Sequence, residues 1–102
     1  MKVFWTQTAV ENLDGIHAYI SRSSITYAQR VADRLTARSV QLAEFPESGR
    51  KVPEFDLPQV REVIEGPYRI VYHIRPEQVD VLAVIHGAQR APWIRAGQSD
   101  PE

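Results

Sequence analysis

Two hydrophobic periods divide this chain, one near 3.6 residues in its first half and one of 2 in its second. Lys2 to Trp5 reads as a short strand. The apolar positions that follow, Ala9, Leu13, Ile16 and Ile20, are spaced by four, three and four residues, which is one face of an α-helix. Thr6 stands where such a helix needs an N-cap, because its hydroxyl can accept from a backbone N–H of the first turn. Arg22-Ser23-Ser24 interrupts the pattern, and either serine can cap a second helix. That helix carries Ala28, Val31, Ala32, Leu35, Ser39 and Leu42 at helical spacing and should end near Phe45-Pro46. Two amphipathic helices joined by a few polar residues predict an αα-hairpin.

Pro46 to Arg50 then reads as a turn and Lys51 to Gln59 as a proline-bearing loop. Beyond it the period is 2. Val60 to Glu65 predicts one strand, Gly66-Pro67 a turn, Tyr68 to Arg75 a second strand, Pro76-Glu77 a turn, and Gln78 to His86 a third. From about Gly87 the chain is a polar tail around Pro92-Trp93-Ile94. The pattern as a whole predicts a single α+β domain over 1–102: an N-terminal strand, a helical hairpin, and a three-stranded antiparallel meander with the helices on one face.

The expected register follows from a two-residue loop at Pro76-Glu77. It pairs His73 with Asp80, Val71 with Leu82 and Arg69 with Val84. The alternate set, Tyr68, Ile70, Tyr72 and Ile74 opposite Ile85, Ala83, Val81 and Val79, is wholly apolar or aromatic, so it should lie under the helices. The other face would hold Arg69, His73, Arg75, Asp80 and His86 as an open polar surface. With Val60 and Ile64 on the core face, Arg61 would join Arg69. Glu62 then points inward, and a bulge near Gly66 would reverse the assignment.

Composition narrows the function. Hydrophobic residues make up 43% of the 102 and charged residues 25%, a globular balance. There is no cysteine, which removes disulfides, thiolate metal sites and cysteine nucleophiles, and fits a reducing compartment. The first residues turn polar too early for a signal peptide, and no apolar run reaches the ~18 residues of a membrane span. A cytoplasmic protein without a membrane partner is expected. The net charge of −1 is spread evenly, with six basic and five acidic residues up to Arg50 and six and eight after it. Proteins that grip nucleic acid usually carry a basic excess, because each neutralised phosphate releases counterions. Any such contact here would need a local cluster.

The ordered set of Phe45-Pro46-Glu47-Ser48-Gly49-Arg50, Arg61-Glu62, Tyr68-Arg69-Ile70-Val71-Tyr72 and Val81 to Gly87 resembles the ParE/RelE toxin superfamily, from Val3 to about Arg90. The resemblance implies the toxin of a bacterial type II toxin–antitoxin pair, held in a hetero-oligomer by a cognate antitoxin. It also implies one of two targets. RelE-like members cleave mRNA on the ribosome as metal-independent endoribonucleases, whereas ParE-like members inhibit DNA gyrase by protein contact. A degenerate, non-toxic member that only binds its antitoxin is a third outcome.

Cleavage by 2′-hydroxyl attack needs a base, an acid and cations for the phosphate. On the RelE-like reading Arg69, Arg61 and Arg90 would be the cations, and His86 would move the proton, since imidazole titrates near neutrality. The resemblance is incomplete here. Lysines expected in the strand before the Tyr-Arg motif are replaced by Arg61-Glu62-Val63-Ile64-Glu65, and the tail offers Trp93 where a tyrosine would serve. The acidic neighbours and near-neutral pI of about 6.3 favour the ParE-like branch. No cofactor is implied, and three histidines without an i,i+4 pair suggest no metal site. His73 opposite Asp80 reads as a cross-strand ion pair. Arg30, Arg34 and Arg38 form an i,i+4 stripe that is either a solvated helix face or a dock for acidic antitoxin residues. Trp93 is a candidate interface anchor.

Overall fold

In the computed structural model, which describes residues 1–53 and 55–87, the two periods become two layers. In chain order they are β1 (Lys2–Trp5), α1 (Gln7–Ser21), α2 (Ile25–Gln41), a 3₁₀ turn (Pro46–Ser48), β2 (Arg50–Lys51), β3 (Val60–Glu65), β4 (Tyr68–Ile74) and β5 (Gln78–His86). Thr6 and Ser24 are the N-caps. Their hydroxyls accept from the N–H groups of Ala9 at 3.2 Å and Tyr27 at 3.0 Å, and loss of such a cap costs about 1 kcal/mol.

The strands form one sheet in the order β1-β5-β4-β3-β2. The predicted meander β3-β4-β5 is its centre. β1 adds to one side parallel to β5, and the short β2, which the sequence presents only as turn and loop, adds antiparallel to the other. The helical hairpin lies on one face. Ala9, Val31 and Leu35 from the helices meet Val63, Ile70, Tyr72, Val79, Val81 and Val84 from the sheet, with Leu13, Ile16, Ile20, Tyr68 and Ile74 around them. Full burial of an aliphatic side chain such as Leu35 or Ile70 is worth about 1.5–3 kcal/mol.

The strand register departs from expectation halfway along the β4–β5 hairpin. His73 pairs with Asp80 and Tyr72 with Val81, as the loop length predicts. Val71 then pairs with Ala83 and Arg69 with Ile85, because a bulge leaves Leu82 as an extra residue. The start of α1 stabilises this bulge. Thr6 donates to the Val81 carbonyl from both its backbone N–H (3.0 Å) and its hydroxyl (2.9 Å), and Asn12 Oδ1 accepts from Val84 N–H at 3.0 Å. Beyond the bulge every side chain changes face. Val84 enters the helix-side core, Ala83 and Ile85 move to the opposite face, and His86 comes to the helix side.

The face of β3 is also the reverse of the one expected. Val63 pairs with Ile70 and packs under the helices, whereas Val60, Glu62 and Ile64 share the far face with Arg69. Arg61 therefore sits on the helix side, opposite Tyr72. The physical reason is Glu62: on the far face two arginines meet its carboxylate, while the helix side would offer an apolar layer. That far face is not an open polar surface. Val52, Val60, Val71, Ala83 and Ile85 form a second apolar cluster there, covered by Phe55 and Leu82.

Candidate functional site

The strand pair β3–β4 and the segment before β2 bring the quoted motifs into one structure. Gly49 lies against the sheet so closely that a Cβ at that position would stand 2.5 Å from the Glu62 carbonyl oxygen and 2.6 Å from Tyr72 Oη. Only glycine permits this approach. Tyr72, fully buried, uses its hydroxyl twice: it donates to the Pro46 carbonyl at 2.6 Å and accepts from Gly49 N–H at 3.0 Å. Burial raises the Tyr72 pKa above 10.0, an effect that the Gly49 N–H, the nearby Arg61 and a Ser48 hydrogen bond only partly offset. Arg61 completes the fastening, donating to the carbonyls of Gly49 at 3.0 Å and Pro58 at 3.2 Å.

On the opposite face Glu62 is 1% exposed and stands between two guanidinium groups. Its Oε1 accepts from Arg69 Nε and Nη2, each at 2.7 Å, and its Oε2 accepts from Arg50 Nε at 2.5 Å. Arg69 is itself buried, at 7% exposure, whereas the Arg50 side chain is 66% exposed. The placement follows from register. Arg50 is directly opposite Glu62 across β2–β3, and Arg69 is its diagonal neighbour across β3–β4, both within reach of long side chains. The arrangement is a charge-assisted clamp that ties three strands together.

The structure separates the remaining predicted residues. Arg61 and Arg69 occupy opposite faces of the sheet. His86 is exposed on the helix side, edge-on to Tyr68 with ring centroids 5.5 Å apart, and so is not on the face of Arg69. His73 and Asp80 are register partners, but the Asp80 carboxylate accepts from Arg75 at 3.0 Å and Gln78 at 2.6 Å. Arg30 and Arg34 are exposed on α2 and Arg38 is half-buried, donating to Gln41 at 3.0 Å. Arg34 also borders a hollow with Tyr27, Val31, Leu35, Pro67 and Tyr68, where α2 meets the β3–β4 turn. Arg90 and Trp93 lie outside the described residues, as does the tail from 88. Among the described residues no three His, Asp or Glu side chains could hold a metal ion, and no helix is long and apolar enough to cross a membrane.

The sequence does not reveal the pairing of Arg50 with Glu62, nor the two hydrogen bonds that Tyr72 makes from its core position. A signal is present: the expected register points Glu62 into an apolar core, and a buried acid invites a search for its counter-charge.

Comparison with known proteins agrees with this fold. Residues 3–91 match the family model described as ParE toxin of type II toxin-antitoxin system, parDE. Toxin RelE2 of Caulobacter vibrioides is 36% identical over 89 residues, covering 86% of this chain and 97% of that protein. Among solved structures, the chromosomal ParDE toxin–antitoxin system from P. aeruginosa superposes with a TM-score of 0.71 at 20% identity, over 85% of this chain and 96% of that one. The toxin–antitoxin complex RelBE2 from Mycobacterium tuberculosis gives 0.63 at 21%, over 83% and 95%.

Proposed function

Since the chain belongs to the ParE toxin family of type II toxin–antitoxin systems, we propose that it poisons DNA gyrase by protein contact and is neutralised by a cognate antitoxin. The observation that carries this reading is the state of Arg69. On the RelE-like reading that arginine would turn toward a phosphate, and here its Nε and Nη2 both meet the buried carboxylate of Glu62. An incoming phosphodiester would have to displace an ion pair already formed inside the protein. The separation of Arg61, Arg69 and His86 over two faces of the sheet, and the net charge of −1, argue in the same direction. The antitoxin would lie along the helical hairpin, where the stripe Arg30, Arg34 and Arg38 complements acidic side chains and apolar residues flank it. Trp93 is the proposed anchor from the tail. Such a toxin works in the cytoplasm, as part of a toxin–antitoxin hetero-oligomer.

The second reading, ribosome-dependent mRNA cleavage, rests on the relative named Toxin RelE2 at 36% identity. It would require Arg69 to leave Glu62 and converge with Arg61, Arg90 and His86. Expression of the chain alone in a bacterium separates the readings. Filamentation with a DNA-damage response and lost supercoiling is the expected result. Rapid arrest of translation with cleaved mRNA would overturn it in favour of the nuclease. Normal growth would leave a member that binds its antitoxin and poisons nothing.

A further inference from the structure

The clamp on the far face of the sheet has the construction of an anion-binding site. Two guanidinium groups, from Arg50 on β2 and Arg69 on β4, converge on one carboxylate, and the deeper of them is buried. Guanidinium forks of this kind bind free carboxylates and phosphates with the same geometry. Here the bound anion is covalently part of the chain. We propose that Glu62 is the internal occupant of an anion site built by Arg50 and Arg69, and that the site takes up a free small carboxylate when the Glu62 side chain is cut back.

The size of the ligand follows from the atoms involved. Shortening Glu62 to alanine removes Cγ, Cδ and both carboxylate oxygens, which are the heavy atoms of acetate. The space lies beside Val60 and Val71 of the second apolar cluster, so a methyl group is accommodated where Cγ was. The Arg50 side chain, 66% exposed and bonded to Glu62 Oε2, marks the entry side. The inference deepens the protein-contact reading, since it makes the signature arginine a self-neutralised structural group. It is nevertheless tested without reference to toxicity, so either can fail alone.

The experiment compares the parent, Glu62→Ala and Glu62→Ala/Arg69→Met in sodium acetate and in sodium chloride of equal ionic strength at pH 7, following chemical unfolding. Once acetate exceeds its dissociation constant, the folded-to-unfolded ratio of Glu62→Ala should rise about tenfold for each tenfold of acetate. The parent and the double variant should show only the small, common effect of the salt. If Glu62→Ala does not fold in chloride, acetate should restore its fold. Equal stability in the two salts, failure to fold in both, or an acetate effect that persists without Arg69 would each overturn the proposal.

Discussion

Replacing Arg69 with methionine separates a structural arginine from a chemical one. The substitution removes two donors at 2.7 Å from Glu62 Oε1 and leaves that oxygen inside a residue 1% exposed to solvent. Breaking a buried ion pair from one side costs about 3–5 kcal/mol, because the surviving charge stays desolvated. Arg50 still holds Oε2, which places the expected loss near the lower end, about 3 kcal/mol. With a urea m-value of about 1–3 kcal/mol/M for a small domain, the midpoint should fall by about 1–3 M. Changing both partners, as Glu62→Met/Arg69→Met, removes the stranded charge and fills the space with apolar atoms. That variant should lie within about 1 kcal/mol of the parent, so removing Glu62 from the Arg69→Met background should restore roughly 2 kcal/mol. Urea unfolding followed by circular dichroism reads all three. A single variant that loses less than about 1 kcal/mol, or a double variant as unstable as the single, would refute the burial argument.

The other expectations concern the fastening of the 45–51 segment and the helix face. The Tyr72 hydroxyl has a pKa above the 10.0 of a free tyrosine, so its neutral form favours the fold. Its contribution is complete below pH 10 and is lost as pH rises through the folded value; the stability gap between the parent and Tyr72→Phe should therefore narrow from pH 9 to 11.5 in urea titrations, and a gap independent of pH would contradict this. Gly49→Ala forces a Cβ against the Glu62 backbone and should cost about 1–3 kcal/mol by the same assay, whereas a neutral result would show that the loop yields freely. Arg30→Glu/Arg34→Glu should leave the unfolding midpoint nearly unchanged and slow antitoxin association about tenfold at low salt. Stopped-flow mixing checks it, and unchanged association would remove the stripe from the interface.

Much of this architecture is legible before any coordinates. The helix faces, the Thr6 cap and the hairpin order follow from local spacing and capping chemistry, while the second cap is narrowed to Ser23 or Ser24, of which the structure uses Ser24. The bulge at Leu82 is not legible. From Val81 to Ile85 the chain is apolar throughout, so no polar residue marks which side faces the helices, and the groups that stabilise the bulge, Thr6 and Asn12, are some seventy residues away in sequence. β3 misleads for a related reason. Val60, Val63 and Ile64 supply apolar residues of both parities, and only the counter-charge of Glu62 decides between them. Arg50 and Glu62 come together through β2, a two-residue strand too short to have a period. The candidate site was thus half visible: Arg69 and Arg61 stand out in the motifs, but their partners are set by tertiary pairing.

Mixing the purified chain in parallel with gyrase on relaxed plasmid and with ribosomes carrying mRNA tests the central claim most directly. Supercoiling should be inhibited in proportion to toxin and restored by the antitoxin, while the mRNA stays intact. Cleavage of ribosome-bound mRNA with supercoiling untouched would contradict it.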